Sequence, residues 1–83
     1  MKISIIIPCY NEKNYIIKIL KKINEIKDIN YEIIIVDDAS SDGSTELLKQ
    51  NSNLYSKLII NEKNFGKGFS VKKGIQFATN DII

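Results

Sequence analysis

The sequence predicts an α/β fold, a parallel sheet with helices on both of its faces. Three observations carry this. Short Ile-rich runs alternate along the 83 residues with segments of helical periodicity, in the order β-α-β-α-β-α-β. The run Ile33–Val36 is continuously apolar rather than alternating, the pattern of a strand covered on both sides. A helical segment separates each strand from the next, as parallel pairing through right-handed crossovers requires.

The first strand is expected over residues 3–8, rich in Ile and stopped by Pro8. The run is too short for a secretory h-region with a cleavage site, and far too short to span a bilayer. The first helix is expected over 12–28, because Ile16, Ile19, Leu20, Ile23 and Ile26 fall on one helical face. The second strand covers 31–37. A second helix covers 43–52, capped by Asp42, with Leu47 and Leu48 as its apolar contribution. A short third strand runs from Lys57 to Asn61. The third helix covers 67–79, with Val71, Gly74, Ile75 and Ala78 at helical spacing, and the closing "DII" opens a fourth strand. The whole reads as a Rossmann-like parallel sheet. A three-residue strand is not a natural end for a domain, so a fragment of a longer protein is expected.

Composition narrows the function. With 43% hydrophobic and 27% charged residues the chain is globular rather than disordered, and its length suits one small domain. Net charge is +2, with lysines scattered and Arg absent. A nucleic-acid binder carries a dense basic stripe mixed with Arg and aromatics, so no nucleic-acid partner is expected. One cysteine and no histidine exclude a disulfide framework and disfavour a zinc site. Cys9 reads as a small residue at a strand end, compatible with a reducing cytosol.

In open parallel sheets, ligands bind beyond the carboxyl ends of the strands. Three loops fall there: "PCYNE", "DDASSDG" and "NEKNFGKG". Plain turn chemistry calls for the same residue types, so composition alone leaves a structural reading open. Pro8 fixes the backbone leaving the first strand, and Tyr10 offers a flat ring. Glu12 stands where an acid is ordinary capping chemistry, and Asp38 by itself reads equally as a loop acid. Together, a ring and carboxylates at adjacent strand ends suit a nucleobase and ribose, because carboxylates accept from ring N–H groups and sugar hydroxyls. "NFGKG" has phosphate chemistry: Gly66 and Gly68 let a ligand approach, a helix starts there, and Lys67 adds a full charge. Lys63, Lys72 and Lys73 read as a solvated helix face.

Known motifs sharpen this. Gly66 and Gly68 do not form a dinucleotide fingerprint, since position 71 is Val, and no phosphate loop of the Gly-Lys-Ser/Thr kind is present. "IIIVDD" resembles the acidic pocket of receiver domains, but here the acids follow the second strand and the third strand ends in Asn61. "SIIIPCYNE", "YEIIIVDDASSDGSTE" and "NFGKGFSVKKGIQFATNDII" stand in the order and spacing of family 2 glycosyltransferases, which have the A-type glycosyltransferase fold. The resemblance covers nearly the whole chain. Its last segment is most similar to dolichyl-phosphate mannose synthases and related polyprenyl-phosphate sugar transferases.

The resemblance implies an inverting transferase whose nucleotide-sugar-binding N-terminal part is residues 1–83. Pro8, Tyr10 and Glu12 would line the nucleotide site, Asp38 would contact base or ribose with Asp37 alongside, and Lys67 would lie toward the diphosphate. It further implies a UDP- or GDP-sugar donor and a glycan or lipid-phosphate acceptor. Mg²⁺ or Mn²⁺ would be held by an Asp-x-Asp just after Ile83, so neither metal ligands nor a catalytic residue are expected within the chain. The 83 residues alone are then expected to be inactive. The location implied is cytoplasmic, with any membrane attachment through C-terminal segments. The rival reading is a non-catalytic nucleotide-binding module, with a receiver-like signalling domain third.

Overall fold

The computed structural model describes residues 2–82. In chain order it contains β1 (Lys2–Cys9), α1 (Ile16–Asn24), β2 (Asn30–Asp37), α2 (Ser44–Gln50), a 3-10 turn (Ser52–Leu54), β3 (Lys57–Ile60), α3 (Lys67–Phe77) and β4 (Asp81–Ile82). The expected alternation is therefore present. Ile83, the end of the predicted fourth strand, lies outside the described residues.

The strands form one parallel sheet in the order β3-β2-β1-β4. The chain builds outward from β1 to β3, then returns to place β4 on the other side of β1. That reversal puts α1 and α2 on one face and α3 on the other, because right-handed crossovers running in opposite directions cover opposite faces. Residues 33–37 of β2 are all buried, as a strand covered on both sides must be. On one face, Cys9, Ile33 and Ile35 pack with Ile16 and Leu20 of α1 and Leu48 of α2. On the other, α3 lies on Ile6 and Val36 through Gly74. A Cβ at that glycine would stand 2.5 Å from Ile6 Cγ2.

Several element ends differ from expectation, each for a local reason. Pro8 does not stop β1, which continues to Cys9. The Cys9 carbonyl accepts from Asp38 N on the β2 side (2.8 Å), so the alternating backbone turns the Pro8 nitrogen away from β2, toward β4. There the described pairing involves Ile3 and Ser4 only, and Pro8 forfeits no ladder bond. α1 begins at Ile16 rather than 12, because Asn11 has φ +52° and residues 11–13 are tied to the loop before α2 and to its first residue, Ser44. It ends at Asn24, whose Nδ2 donates to the carbonyls of Leu20 (2.8 Å) and Leu54 (3.0 Å). α2 ends early in a similar way, with Asn51 Nδ2 donating to the Leu47 carbonyl. α3 packs through Ser70 and Gly74, with Val71 half-buried, and turns Ile75 outward, 40% exposed. The close approach at Gly74 sets that rotation.

A polar cluster closes the opposite end of the sheet. Ser4, Glu32 and Lys57 lie on the α3 face of β1, β2 and β3. Glu32 Oε2 accepts from Ser4 Oγ (2.6 Å), Thr79 N (2.9 Å), Thr79 Oγ1 (2.7 Å) and Asn80 Nδ2 (3.0 Å). Lys57 Nζ pairs with Oε1 at 3.9 Å. These bonds hold the turn from α3 into β4, and they pull the Glu32 carboxyl from 4.5 down to about 2, the Ser4 hydroxyl contributing most.

Candidate functional site

A cleft of about 650 Å³ opens at the carboxyl ends of β1 and β2, beside the start of α3. Its walls are Ile6, Pro8, Cys9, Tyr10 and Glu12 from β1 and the loop after it, Asp38 from the end of β2, and Asn64, Gly66, Lys67, Ser70 and Val71 from the loop and first turns of α3. The volume is in the range of small-molecule and cofactor sites. The sheet order changes direction between β1 and β4, the switch point where such clefts form.

The first two loops are knitted together. Asn11 N donates to Ser40 Oγ (2.9 Å), and Ser41 N donates back to Asn11 Oδ1 (2.8 Å). Glu12 N donates to Ser44 Oγ (2.9 Å), and Lys13 N to Asp42 Oδ2 (3.1 Å). Asp42 also accepts from Ser44 N (2.9 Å) and Ser44 Oγ (2.5 Å), so it bonds the first residue of α2 while anchoring the other loop, although the cap position itself is Gly43 rather than Asp42. Its carboxyl is held below the usual range chiefly by the Ser44 hydroxyl. This lattice presents Tyr10 and Glu12 to the cleft. Because α1 starts at Ile16, Glu12 is not in its first turn, and capping does not account for it. Its carbonyl instead accepts from Tyr15 N and Ile16 N.

The two adjacent acids part company. Side chains of a strand alternate between faces, and Asp37 falls on the α1–α2 face. It is fully buried, accepting from Ser40 Oγ (2.6 Å) and from Thr45 Oγ1. It holds α2 to the sheet beneath the cleft and is not among the cleft walls. Asp38 points to the other side and lines the cleft, 3% exposed. Its Oδ1 accepts from Asn61 Nδ2 (2.8 Å) and Phe65 N (2.9 Å), its Oδ2 from Gly66 N (2.8 Å). Burial pushes this carboxyl up, but the Phe65 amide, Asn61 and the Gly66 amide outweigh it, and the net displacement is downward. Asp38 is therefore a carboxylate that clamps the third loop while facing the cleft. Ala39 directly after it has φ +58°, a left-handed conformation that lets the chain leave both acids sharply.

The third loop brings the positive side. Gly66, at φ +97°, turns the chain into α3, and Lys67 is the first helical residue. The unpaired amides of a helix N-terminus favour an anion there, and the Lys67 ammonium reinforces them. Gly68 is not a cleft wall, and a Cβ there would meet nothing within 4 Å, so close approach of a ligand does not explain it.

The structure thus brings Pro8, Tyr10, Glu12, Asp38 and Lys67 to one cleft and leaves Asp37 outside it. The sequence reading missed Asn61, Asn64, Ser70 and Val71. Asn61 was findable: Ile60 pairs with Asp37, so the next residue sits beside Asp38. Cys9 is a cleft wall as well, but burial, followed by the Asp37 charge, pushes its thiol up to about 11 and keeps it an inert neutral group. Among the described residues there is no group of three or more His, Cys, Asp or Glu side chains placed to hold a metal ion. Asp38 already accepts three protein donors, which leaves Glu12 as the other acid of the cleft walls. The residues present do not by themselves fit a divalent ion.

A ring and acids on one wall, a helix N-terminus with lysine on the other, all at a sheet switch point, define a Rossmann-like ligand-binding domain. Solved structures similar to this chain in fold are glycosyltransferases of the A-type fold. The mannosyltransferase PcManGT of Pyrobaculum calidifontis, in complex with GDP-Man and Mn²⁺, matches 93% of this chain and 24% of its own, with TM-score 0.84 and 26% identity. TarS of S. aureus in complex with UDP-GlcNAc matches 100% of this chain and 25% of its own, with TM-score 0.86 and 26% identity. The chain belongs to glycosyl transferase family 2, whose sequence profile matches residues 4–83. Curated relatives include a dolichol-phosphate mannosyltransferase of Pyrococcus furiosus, 37% identical over 99% of this chain and 24% of the relative. An undecaprenyl-phosphate 4-deoxy-4-formamido-L-arabinose transferase of Aeromonas hydrophila is 33% identical over 98% of this chain and 27% of the relative. The chain thus spans about a quarter of the length of these relatives.

Proposed function

We propose that residues 1–83 are the nucleotide-sugar-binding N-terminal part of an inverting glycosyltransferase. The observation that carries this is the polarity of the cleft. Tyr10, Glu12 and Asp38 form a wall suited to a base and ribose, and Lys67 with the α3 N-terminus suits a diphosphate. Pro8 shapes the wall beneath Tyr10. Asp37 supports the site from behind through Ser40 and Thr45. The donor is a UDP- or GDP-sugar, in line with the donors bound by TarS and PcManGT. The acceptor is a polyprenyl phosphate, which the names of the two curated relatives support over a free glycan.

A Mg²⁺ or Mn²⁺ ion, if the whole enzyme uses one, would be held by residues other than the described ones and would supply positive charge for the nucleoside diphosphate. The base that deprotonates the acceptor lies outside them as well. Within this chain, the residues bind and orient the donor: the acids hold its nucleoside end, and Lys67 meets its diphosphate end. The location proposed is cytoplasmic, and the lipid-phosphate names of the curated relatives support work at the surface of a membrane. No described helix is long and apolar enough to cross one.

Calorimetric titration of the 83-residue chain with UDP and with GDP, with EDTA and then with Mn²⁺, tests the site. One nucleotide is expected to bind, with Tyr10→Ala and Lys67→Ala each weakening it by about five- to tenfold. Failure of both nucleotides in both conditions would refute the assignment. The same chain given donor, polyprenyl phosphate and Mg²⁺ is expected to transfer no sugar. Turnover by it would place the base and metal ligands inside 1–83 after all.

A further inference from the structure

Asn61 follows β3 directly and is 2% exposed. Its backbone N donates to the Asp37 carbonyl (2.8 Å), continuing the β2–β3 ladder by one residue. Its side chain is fully used. Nδ2 donates to Asp38 Oδ1 (2.8 Å) and to Ser70 Oγ (3.1 Å), and Oδ1 accepts from Lys73 Nζ (3.2 Å). The amide can stand only one way round, with its NH₂ toward a carboxylate and its oxygen toward an ammonium. Asn61 is not a wall of the cleft, yet Asp38 is, and Asp38 holds the Phe65 and Gly66 amides that shape the turn into α3.

We infer that Asn61 is a positioning residue of the nucleotide cleft, orienting Asp38 so that its carboxylate fixes the Phe65–Gly66 turn and the N-terminus of α3. The assignment rests on the function proposed above. Asparagine suits the place because it offers two donors and an acceptor without charge. A carboxylate in its place would stand against Asp38, and an aliphatic side chain would leave the buried Asp38 and Ser70 and the half-buried Lys73 each short of a partner. The charged groups around the junction are Asp38 from the end of β2 and Lys73 from α3, with Glu12 and Lys67 sharing the cleft with Asp38.

The test uses Asn61→Asp in the ¹⁵N-labelled 83-residue chain. Protonated, the introduced carboxyl donates to Asp38 much as the amide does. Ionised, it repels Asp38, and two such close carboxyls share one proton over a raised range. The variant is therefore expected to match the native chain near pH 5 and to depart from it by about pH 8, with the Phe65 and Gly66 amide signals moving upfield. Relative to the native chain at the same pH, affinity for the nucleotide that the native chain binds is expected to fall about tenfold over the same range. The nucleotide's terminal phosphate itself titrates at about pH 6, so the variant's affinity is read as a ratio to the native chain's at each pH. The native Phe65 and Gly66 signals of the nucleotide-free chain stay flat, and far-UV circular dichroism at each pH establishes that the variant is folded. Variant signals and affinity that track the native chain throughout would overturn the inference. Should the aspartate variant fail to fold, Asn61→Ala replaces it: the Phe65 and Gly66 signals are then expected to shift at every pH, and unchanged signals overturn the inference. If the native chain binds neither UDP nor GDP, the function proposal fails while the two amide signals still decide the role of Asn61.

Discussion

Glu32→Gln is expected to destabilise the chain at neutral pH and to make no difference in acid. Glu32 Oε2 takes four donors from Ser4, Thr79 and Asn80, and the carboxyl lies at about 2 instead of 4.5. At full weight that displacement is worth about 3 kcal/mol. The side chain is 12% exposed, and solvent screening brings the figure to about 2 kcal/mol. Glutamine keeps the shape and one acceptor oxygen but loses the charge that strengthens each bond. A domain of this size loses roughly 4–8 °C in Tm per kcal/mol, so a drop of about 10 °C is expected at pH 7. The sign with pH follows from linkage. The folded state holds this proton less tightly than the unfolded chain, so the stabilisation is complete above about 4.5 and fades as pH falls through about 2. Thermal melts of both chains by circular dichroism at pH 7, 4.5, 3 and about 2 measure it. The gap between them should narrow over the last three points. A gap that stays constant would refute the reasoning, because it would mean that shape rather than charge sets the contribution.

Gly74→Ala should lower stability by about 1–2 kcal/mol in urea unfolding. The clash with Ile6 Cγ2 at 2.5 Å outweighs the gain of roughly 1 kcal/mol that alanine brings to a helix. A variant as stable as the native chain would mean that α3 does not rest on the sheet there. Gly66→Ala and Gly68→Ala should diverge. The first is strained at φ +97° and should cost about 1–2 kcal/mol, whereas the second meets open space within a helix and should be neutral or raise Tm by a few degrees. Asp37→Ala should destabilise by about 3 kcal/mol, since Ser40 and Thr45 lose a buried charged acceptor. Nucleotide affinity per folded molecule should change little, and a selective loss of affinity at full stability would return Asp37 to the cleft wall.

Much of the site was legible because it depends on where strands end. A run such as Ile33–Val36 reports its own burial, and parallel order then places the residues after β1 and β2, with the start of α3, at one rim. Pro8, Tyr10, Glu12, Asp38 and Lys67 fall out of that logic. The helix ends were less legible. α1 starts four residues after Glu12 because Asn11, Glu12 and Lys13 bond to Ser40, Ser44 and Asp42, partners about thirty positions away. No local periodicity carries that information.

The sequence by itself determined the alternation of elements, the two-sided burial of β2 and the family to which the chain belongs. These rest on periodicity and on motif order, which are local properties of the chain. Only the tertiary structure decided how the neighbouring acids divide their work. Asp37 turns to Ser40 and Thr45 under α2, and Asp38 turns to Asn61 and the Phe65–Gly66 amides at the cleft. It likewise decided that Glu32 ties three strands to the turn after α3, and that Asn61 stands between Asp38 and Lys73. A polar side chain takes its role from the partners that folding brings to it. Here most of those partners come from other elements, up to 76 positions away.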